Sequence, residues 1–242
     1  MASFHLHIKS GGKGQALNHA KYIMREGKFS NSEKASDLMK TGFGGFPKWA
    51  SESPSRFWKA ADKGERANGS TYREFELALP SELSLEQNTE LLEKFIERAI
   101  PGKPFQYAIH APTASIGNTS QPHVHLMYND RKPDDIDRLP EQYFRRYNAV
   151  NPELGGAKKD SGGKDRKSVK EDLVNTRKLW ADLQNQKFEE LGMEPRVDHR
   201  SYRERGIDKT PEKHLGFGGV MALSDDDVSA VNLRRKGNSN QV

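Results

Sequence analysis

Residues 105–128 read FQYAIHAPTASIGNTSQPHVHLMY, and this stretch decides the fold. The segments Phe105–Ala111 and His123–Tyr128 are short and mostly apolar, which predicts two β-strands. The polar connection between them is bounded by Pro112 and Pro122. Consecutive strands favour pairing as an antiparallel hairpin, although this connection is longer than most hairpin loops. A β-sheet is therefore expected at the centre of the molecule.

Other segments extend this sheet and add helices. Apolar residues at every second position predict strands at Ser3–Lys9 and Tyr72–Leu79. Residues 27–55 show little periodicity and are interpreted as loop. The fold class expected from this order is α+β, a central antiparallel sheet with helices packed on one face. Helices are predicted at Gln15–Arg25, from Pro54 to Ala67, after a capping box at Ser84 and Gln87, at Glu141–Tyr147 and at Val169–Leu191.

Composition narrows the class of protein. The chain has 242 residues, a formal net charge of +5 and no cysteine. The absence of cysteine excludes disulfides, a cysteine nucleophile and thiolate metal sites. No stretch has the apolar length of a membrane span, and the N-terminus does not resemble a secretory signal, so a cytoplasmic protein without membrane insertion is expected. Residues 1–223 are interpreted as one domain and residues 224–242 as a flexible basic tail.

Three histidines are candidate metal ligands. His123 and His125 are two residues apart on a predicted strand, so their side chains share one face. His110 ends the preceding strand and lies beside them if the two strands pair. Three imidazoles on a rigid sheet can bind a metal and leave coordination positions open. The competing interpretation is that the HxH pattern, which is common in proteins, has no metal-binding role here.

Two glutamates on another strand are candidate partners of these histidines. Glu74 and Glu76 share one face of the strand Tyr72–Leu79. A carboxylate that accepts the second N–H of a metal-bound histidine orients its ring and raises its basicity. The alternative is that both glutamates lie on a solvated strand face.

Tyrosine is the remaining candidate nucleophile. The chain has no GxSxG elbow, no phosphate-binding GxxxxGK[ST] loop and no dinucleotide fingerprint. A tyrosine could attack phosphorus if a metal or another cation lowered the barrier. Tyr22 lies between Lys21 and Arg25 on the first predicted helix, whereas Tyr143 and Tyr147 are four residues apart on a later one.

Basic residues form two clusters that could bind single-stranded DNA, which requires cationic grooves and aromatic platforms. One cluster lies near Tyr22 and the other in the segment 155–170, which is interpreted as a flexible basic loop. The candidate DNA contacts are Lys9, Lys13, Lys21, Arg25, Lys158 and Lys159.

Ten short motifs occur in a characteristic order. They are FHLHIKSGG (4–12), AKYIMREGKFS (20–30), ADKGERANG (61–69), REFELALP (73–80), YAIH (107–110), PHVHLM (122–127), FRRYN (144–148), GGAKK (155–159), VDHRSYRERGI (197–207) and HLG (214–216). Each motif is weak alone, but their joint order and spacing resemble the MobA/MobL family of plasmid mobilisation relaxases, of the MOBQ type, over about residues 1–220.

The resemblance implies a relaxase of the HUH endonuclease class, whose fold is a circular permutation of that of rolling-circle replication initiators. Such enzymes nick one strand at the plasmid transfer origin. A tyrosine attacks the scissile phosphate and retains the 5′ end as a phosphotyrosine. The 3′-OH is left free, so the strand can be rejoined after conjugative transfer without ATP.

Residue roles and partners also follow from the resemblance. Tyr22 matches the nucleophile, and Glu74 or Glu76 matches the acid that orients a metal-bound histidine, with Glu74 favoured by its distance from the proline that ends REFELALP. The usual ion is Mg²⁺ or Mn²⁺. The partners implied are single-stranded and supercoiled plasmid DNA at the transfer origin, relaxosome accessory proteins and the coupling protein of a type IV secretion system. The matched metal ligands are His110, His123 and His125.

Three other functions remain open at this point. A rolling-circle replication initiator would use Tyr143 or Tyr147, which follow the HxH strand. A non-catalytic DNA-binding protein would carry a degenerate metal site. A metal-dependent hydrolase is disfavoured because Met127 stands where an HxHxD motif has its acid.

Overall fold

The computed structural model describes residues 4–30, 36–113, 119–208, 222–224, 226–231 and 233. The chain divides into two units, of which the first comprises Met1–Ala111 and Pro122–His199 and the second comprises Pro112–Gln121 and Arg200–Val242. Every helix and strand named below lies in the first unit.

The C-terminal residues of the second unit are only partly described. Residues 226–231 are helical, which differs from the irregular tail expected there. The HLG motif and residues 234–242 lie outside the described residues, so the basic tail stays a prediction.

Within the described residues, five strands form one antiparallel sheet with the spatial order β1-β3-β5-β4-β2. The hairpin of β4 and β5 is confirmed, and together with β3 it forms the centre of the sheet. The α+β class and the central antiparallel sheet are therefore also confirmed. The strands are β1 (Leu6–Gly12), β2 (Leu38–Gly44), β3 (Ser70–Ala78), β4 (Phe105–His110) and β5 (His123–Tyr128).

The helices are α1 (Ala16–Ile23), α2 (Pro54–Gly64), α3 (Leu85–Ala99), α4 (Pro140–Tyr143) and α5 (Arg166–Glu190). The capping box before α3 is confirmed, because Ser84 N donates to the Gln87 side chain at 2.8 Å and Gln87 N donates to Ser84 Oγ at 3.2 Å. Helix α5 begins earlier than predicted, since the Asp165 carboxylate accepts from Ser168 N at 2.7 Å and caps it.

Strand β2 lies in the segment 27–55, for which the sequence predicts a loop, so this prediction is wrong. This strand is at the edge of the sheet and reads LMKTGFG, without the alternation that marks a half-buried strand. Backbone pairing with β4 stabilises β2 instead of an apolar face, and Gly42 lies opposite Tyr107 in this pairing. A Cβ at Gly42 would lie 2.5 Å from the Tyr107 ring, so the glycine makes room for the aromatic side chain.

Helices cover both faces of the sheet, which corrects the expectation of one covered face. On the first face, Phe75 and Leu77 of β3 pack in a core with Phe95 of α3 and Trp180 of α5. On the second face, α1 and α2 pack against Ala108 of β4 and Met127 of β5. Both cores bury large side chains, so the central strands are buried on both sides. No helix in the described part of the chain combines the length and apolar character needed to cross a bilayer.

Candidate active site

Three imidazoles converge on the second face of the sheet. His110 of β4 lies directly opposite His123 of β5, and His125 follows two positions along the same strand. The ring centroids are 5.5 Å apart for His110 and His123, and 5.2 Å apart for each of the other two pairs. One ring nitrogen from each residue lies within 4.8 Å of the others. This spacing and donor chemistry suit a single metal ion.

Glu74 orients one of these rings. Its side chain is fully buried, and its Oε1 accepts a hydrogen bond from His125 Nδ1 at 2.9 Å. Its Oε2 accepts a second hydrogen bond, from His19 Nε2 of α1. Burial would raise the pKa of Glu74, but the hydrogen bonds from His125 and His19 outweigh it and lower the pKa to about 2. The ionised carboxylate therefore holds the proton of His125 on Nδ1 and leaves Nε2 as the donor for a metal.

Glu76 has different surroundings. It lies opposite His125 in the ladder, but its partly exposed carboxylate forms an ion pair with Lys9. Burial acts to raise the pKa of Glu76, and the hydrogen bond and charge of Lys9 lower it more. One carboxylate oxygen of Glu76 lies within 4.8 Å of ligand atoms of Glu74 and His125. Of the two glutamates, Glu74 therefore has the geometry of the orienting acid.

His110 is buried and held by α1 and the residues that follow it. Its Nε2 donates to the Ile23 carbonyl at 2.7 Å, and its Nδ1 accepts from Arg25 Nη2 at 3.2 Å. Burial, and next the charge of Arg25, lower the pKa of His110 to about 4. The ring is thus neutral at neutral pH, as a metal ligand must be. A metal bound to His110 would replace one of these two partners.

Tyr22 lies on the turn of α1 that contacts this cluster. His19 precedes it and bonds Glu74, and Ile23 follows it and bonds His110. The Tyr22 side chain is 38% exposed. Its ring contacts the rings of His19 and Phe29, with centroid distances of 6.1 and 5.4 Å, and the Arg25 guanidinium lies 5.1 Å from its centroid. The helix turn that carries the accessible Tyr22 side chain is therefore hydrogen-bonded to Glu74 and to His110.

A carboxylate from another helix anchors α1. Gln15, which precedes the helix, makes no side-chain capping bond. Instead Asp62 of α2 accepts hydrogen bonds from the backbone N–H groups of Ala16 and Leu17, both at 2.9 Å. These bonds satisfy two of the N–H groups left free at a helix start, and they fix α1 against α2.

The other candidate nucleophiles are less suitable. Tyr143 is buried between Trp49, Phe57 and Phe144, and burial raises its pKa to about 12. A buried phenol with a raised pKa is a poor nucleophile. Helix α4 ends at Tyr143, so Tyr147 does not share a helix face with it, in contrast to the prediction.

The structure separates the predicted DNA contacts into two groups. Lys13, Lys21 and Lys158 are exposed, and Lys9 is exposed while paired with Glu76. Arg25 is 9% exposed and forms a two-point ion pair with Asp37, at 2.9 and 3.1 Å. Arg25 therefore supports the site from inside the fold, which does not favour a direct contact with DNA.

Lys159 is likewise held by contacts inside the fold. Its Nζ lies 3.0 Å from the fully buried Glu65 carboxylate and donates to the Ser70 carbonyl at 2.8 Å. The segment around it is not a loose loop, because Lys132 N donates to the Lys158 carbonyl and Asp160 N donates to the Asp130 carbonyl, both at 2.8 Å. Residues 158–160 of the basic segment 155–170 are thus held by hydrogen bonds to the rest of the fold.

Sequence reasoning missed three residues that support the site. His19 stands three positions before Tyr22, a helical spacing that could have revealed it. Asp37 and Asp62 act on Arg25 and on α1 from distant positions, and no local pattern indicates either contact.

The sequence of this chain matches a known protein family and several of its members. Residues 19–222 match the MobA/MobL family. A protein described as "43 kDa relaxation protein", from Salmonella typhimurium, is 49% identical over 210 residues, which is 86% of this chain and 56% of that protein. "Mobilization protein A" from Escherichia coli is 39% identical over 221 residues, which is 89% of this chain and 30% of that protein. The chain thus spans about half the length of the first relative and less of the second.

One solved structure has the same fold. It is described as "Molecular Basis of Vancomycin Resistance Transfer in Staphylococcus aureus". Its TM-score is 0.60 at 22% identity, and the match covers 83% of this chain and 100% of that chain. At this identity the likeness shows the fold alone.

Proposed function

This chain belongs to the MobA/MobL family, and from that premise we propose that it is the relaxase part of a plasmid mobilisation protein. Its substrate is single-stranded DNA at a transfer origin, which it nicks on one strand and rejoins after transfer. The names of its relatives, a relaxation protein and a mobilization protein, support this assignment.

One observation carries the proposal. Helix α1 contacts the histidine cluster on both sides of Tyr22, through the His19–Glu74 bond and through the bond from His110 to the Ile23 carbonyl. The helix that carries the exposed Tyr22 side chain is thereby fixed against the histidine cluster. This is the arrangement that attack of a tyrosine on a metal-bound phosphodiester requires.

The chemical step is a transesterification. The Tyr22 oxygen forms a bond to the scissile phosphorus while the bond from phosphorus to the 3′ oxygen breaks. The phenolic proton leaves to solvent, which the 38% exposure of Tyr22 allows. The departing 3′ oxygen takes a proton from water and becomes a free 3′-OH. One phosphodiester replaces another, so the reverse step can rejoin the strand without ATP.

His110, His123 and His125 are the proposed metal ligands. A bound divalent cation would draw charge from the non-bridging phosphate oxygens during attack. Glu74 holds the His125 ring for this role, and the lowered pKa of His110 keeps its ring neutral. Three imidazole donors are more typical of a transition metal than of Mg²⁺, which is usually bound through carboxylates and water, and of the two ions that the resemblance implies, Mn²⁺ is the transition metal.

The remaining assignments follow from family membership. We infer that the protein acts in the bacterial cytoplasm. Relaxosome accessory proteins and the coupling protein of a type IV secretion system are its proposed partners. Lys13, Lys21 and Lys158 are the proposed DNA contacts, because their side chains are exposed.

The test is nicking of labelled single-stranded oligonucleotides that tile the noncoding DNA beside the coding sequence. The chain is mixed with each oligonucleotide and with Mn²⁺, Mg²⁺ or EDTA. We expect one oligonucleotide to be cut at a single position, with the 5′ fragment ending in a free 3′-OH and the 3′ fragment bound to protein. Binding without cleavage in every metal would identify a DNA-binding protein instead. Cleavage without bound DNA would identify a hydrolase.

A further inference from the structure

His19 connects the helix of the proposed nucleophile to the proposed metal site. Its Nε2 donates to Glu74 Oε2, while Oε1 of the same carboxylate accepts from His125. Each oxygen of Glu74 thus accepts a hydrogen bond from a different histidine, one on α1 and one on β5. His19 is the donor that α1 supplies.

Aromatic contacts fix the plane of the His19 ring. It stacks on Tyr72, with 4.8 Å between centroids and 8° between planes, and it also lies 6.1 Å from the Tyr22 ring at 29°. Tyr72 can take this position because Gly11 of the neighbouring strand has no side chain, since a Cβ at Gly11 would overlap the Tyr72 ring. Burial, and next the charges of Glu74 and Asp62, raise the pKa of Tyr72 to about 12, so its ring stays uncharged.

We propose that His19 is a positioning residue that couples Glu74, and through it His125, to the placement of Tyr22. This rests on the proposed function for the role of Tyr22, whereas the effect on metal affinity follows from the contacts of Glu74 alone. His19 itself does not take part in bond formation or cleavage.

Loss of the His19 donor has two physical consequences. Glu74 Oε2 is left without this partner at a fully buried position, so the carboxylate shifts and holds the His125 ring less firmly. Tyr22 also loses one of the rings that it packs against, and its exposed side chain samples more rotamers. The first effect lowers metal affinity and the second lowers the rate of attack.

The test compares His19→Gln with His19→Met. The two side chains have similar length, but only glutamine keeps an N–H that can reach Glu74. Asn18→Ala is the matched control, because Asn18 is exposed on the same helix. For each protein, Mn²⁺ affinity is measured without DNA by the electron paramagnetic resonance signal of free Mn²⁺. The rate of covalent DNA attachment is then measured under saturating Mn²⁺ and DNA, and thermal unfolding checks the fold.

We expect His19→Met to weaken Mn²⁺ binding and to slow DNA attachment, each by about 10-fold or more. We expect His19→Gln to recover most of the Mn²⁺ affinity, and Asn18→Ala to match the unsubstituted chain. If His19→Met does not fold, His19→Phe replaces it, because phenylalanine retains an aromatic ring and lacks the donor.

Two results would overturn the inference. The first is an unchanged Mn²⁺ affinity in the variant that lacks the donor. The second is an equal loss in His19→Gln and His19→Met while both remain folded. Failure of the proposed function would give a different result, because the unsubstituted chain would then form no covalent adduct with DNA. In that case the Mn²⁺ affinities of the variants still decide whether His19 supports the metal site.

Discussion

Glu74 and His125 are joined by a hydrogen bond of 2.9 Å between Oε1 and Nδ1, although the residue of β3 directly opposite His125 is Glu76. The diagonal partner, which is fully buried, orients the imidazole, while the opposite partner pairs with Lys9 near the surface. The two carboxylates share one strand face but have different surroundings, so their substitutions have different consequences.

Glu74→Gln is expected to weaken Mn²⁺ binding by about 10- to 100-fold, because it removes the charge that holds the His125 proton on Nδ1. Glu76→Gln is the matched control and should weaken binding by no more than about fivefold, since it removes only a partly exposed ion pair. Titration of Mn²⁺ into the DNA-free chain measures both. A larger effect at Glu76 than at Glu74 would contradict this assignment.

Lys21→Ala and Lys13→Ala should each reduce the salt dependence of DNA binding. If each lysine contacts one phosphate, the slope of log K against log salt becomes less steep by about 0.7 for single-stranded DNA. Fluorescence anisotropy at several salt concentrations measures this slope. Lys159→Ala should leave the slope unchanged and lower stability instead, because Lys159 is paired with buried Glu65. If Lys159→Ala reduced the salt dependence as much as Lys21→Ala, Lys159 would be a DNA contact.

Glu65→Gln should destabilise the fold in a pH-dependent manner. Burial acts to raise the pKa of Glu65, but the hydrogen bond from Lys159 and the charges of Arg131 and Lys159 lower it below its ordinary value. A lowered carboxyl pKa stabilises the fold above the unfolded pKa of about 4.5, and this contribution is lost as the pH falls through the folded pKa. At pH 7 the variant leaves two cations without their buried partner, at a cost of about 3 kcal/mol.

Urea denaturation at several pH values between neutral and about 3 tests this expectation. The difference in unfolding free energy between Glu65→Gln and the unsubstituted chain should be largest at neutral pH and should shrink below about pH 4.5. Glu90→Gln is the control, because its ion pair with Lys187 involves an exposed carboxylate whose charge solvent screens. A difference that stays constant down to pH 3 would exclude ionised Glu65 as the source of the stability.

Asp62→Ala should loosen α1. It removes the acceptor for the N–H groups of Ala16 and Leu17, at a cost of about 1–2 kcal/mol. Asp62→Asn keeps one capping oxygen and should cost less. Amide hydrogen exchange measured by mass spectrometry would locate the effect, with faster exchange in residues 16–23. Unchanged exchange in α1 with loss of stability elsewhere would contradict the capping role.

Much of the fold could be predicted from the sequence, because the central strands show clear patterns. β5 has the predicted boundaries, and the capping box before α3 is present. Strand β2 could not be predicted, since an edge strand with two glycines has no apolar alternation and depends on pairing with β4. Helices α1 and α2 agree with predicted helices, but their packing on the second face could not be predicted, because that face carries polar residues from β3 and β5 beside Ala108 and Met127.

The site could be predicted in part. The HxH pattern and the strand pairing place His110, His123 and His125 together as the sequence suggested. The interactions of charged side chains could not be predicted, because a buried ion pair and a solvated charge look the same in sequence. Arg25 and Lys159 resembled DNA contacts for this reason, although Asp37 and Glu65 hold them inside the fold.

The most direct test of the account is to identify the residue that becomes attached to DNA. The chain is incubated with Mn²⁺ and origin DNA and then digested with protease and nuclease. The modified peptide is sequenced by mass spectrometry. The variants Tyr22→Phe and Tyr147→Phe are treated in the same way. We predict a nucleotide on Tyr22 in the peptide that contains AKYIMREGK, no adduct with Tyr22→Phe, and DNA affinity within a few-fold of the unsubstituted chain. An adduct on Tyr143 or Tyr147, or one that persists in Tyr22→Phe, would contradict the central claim.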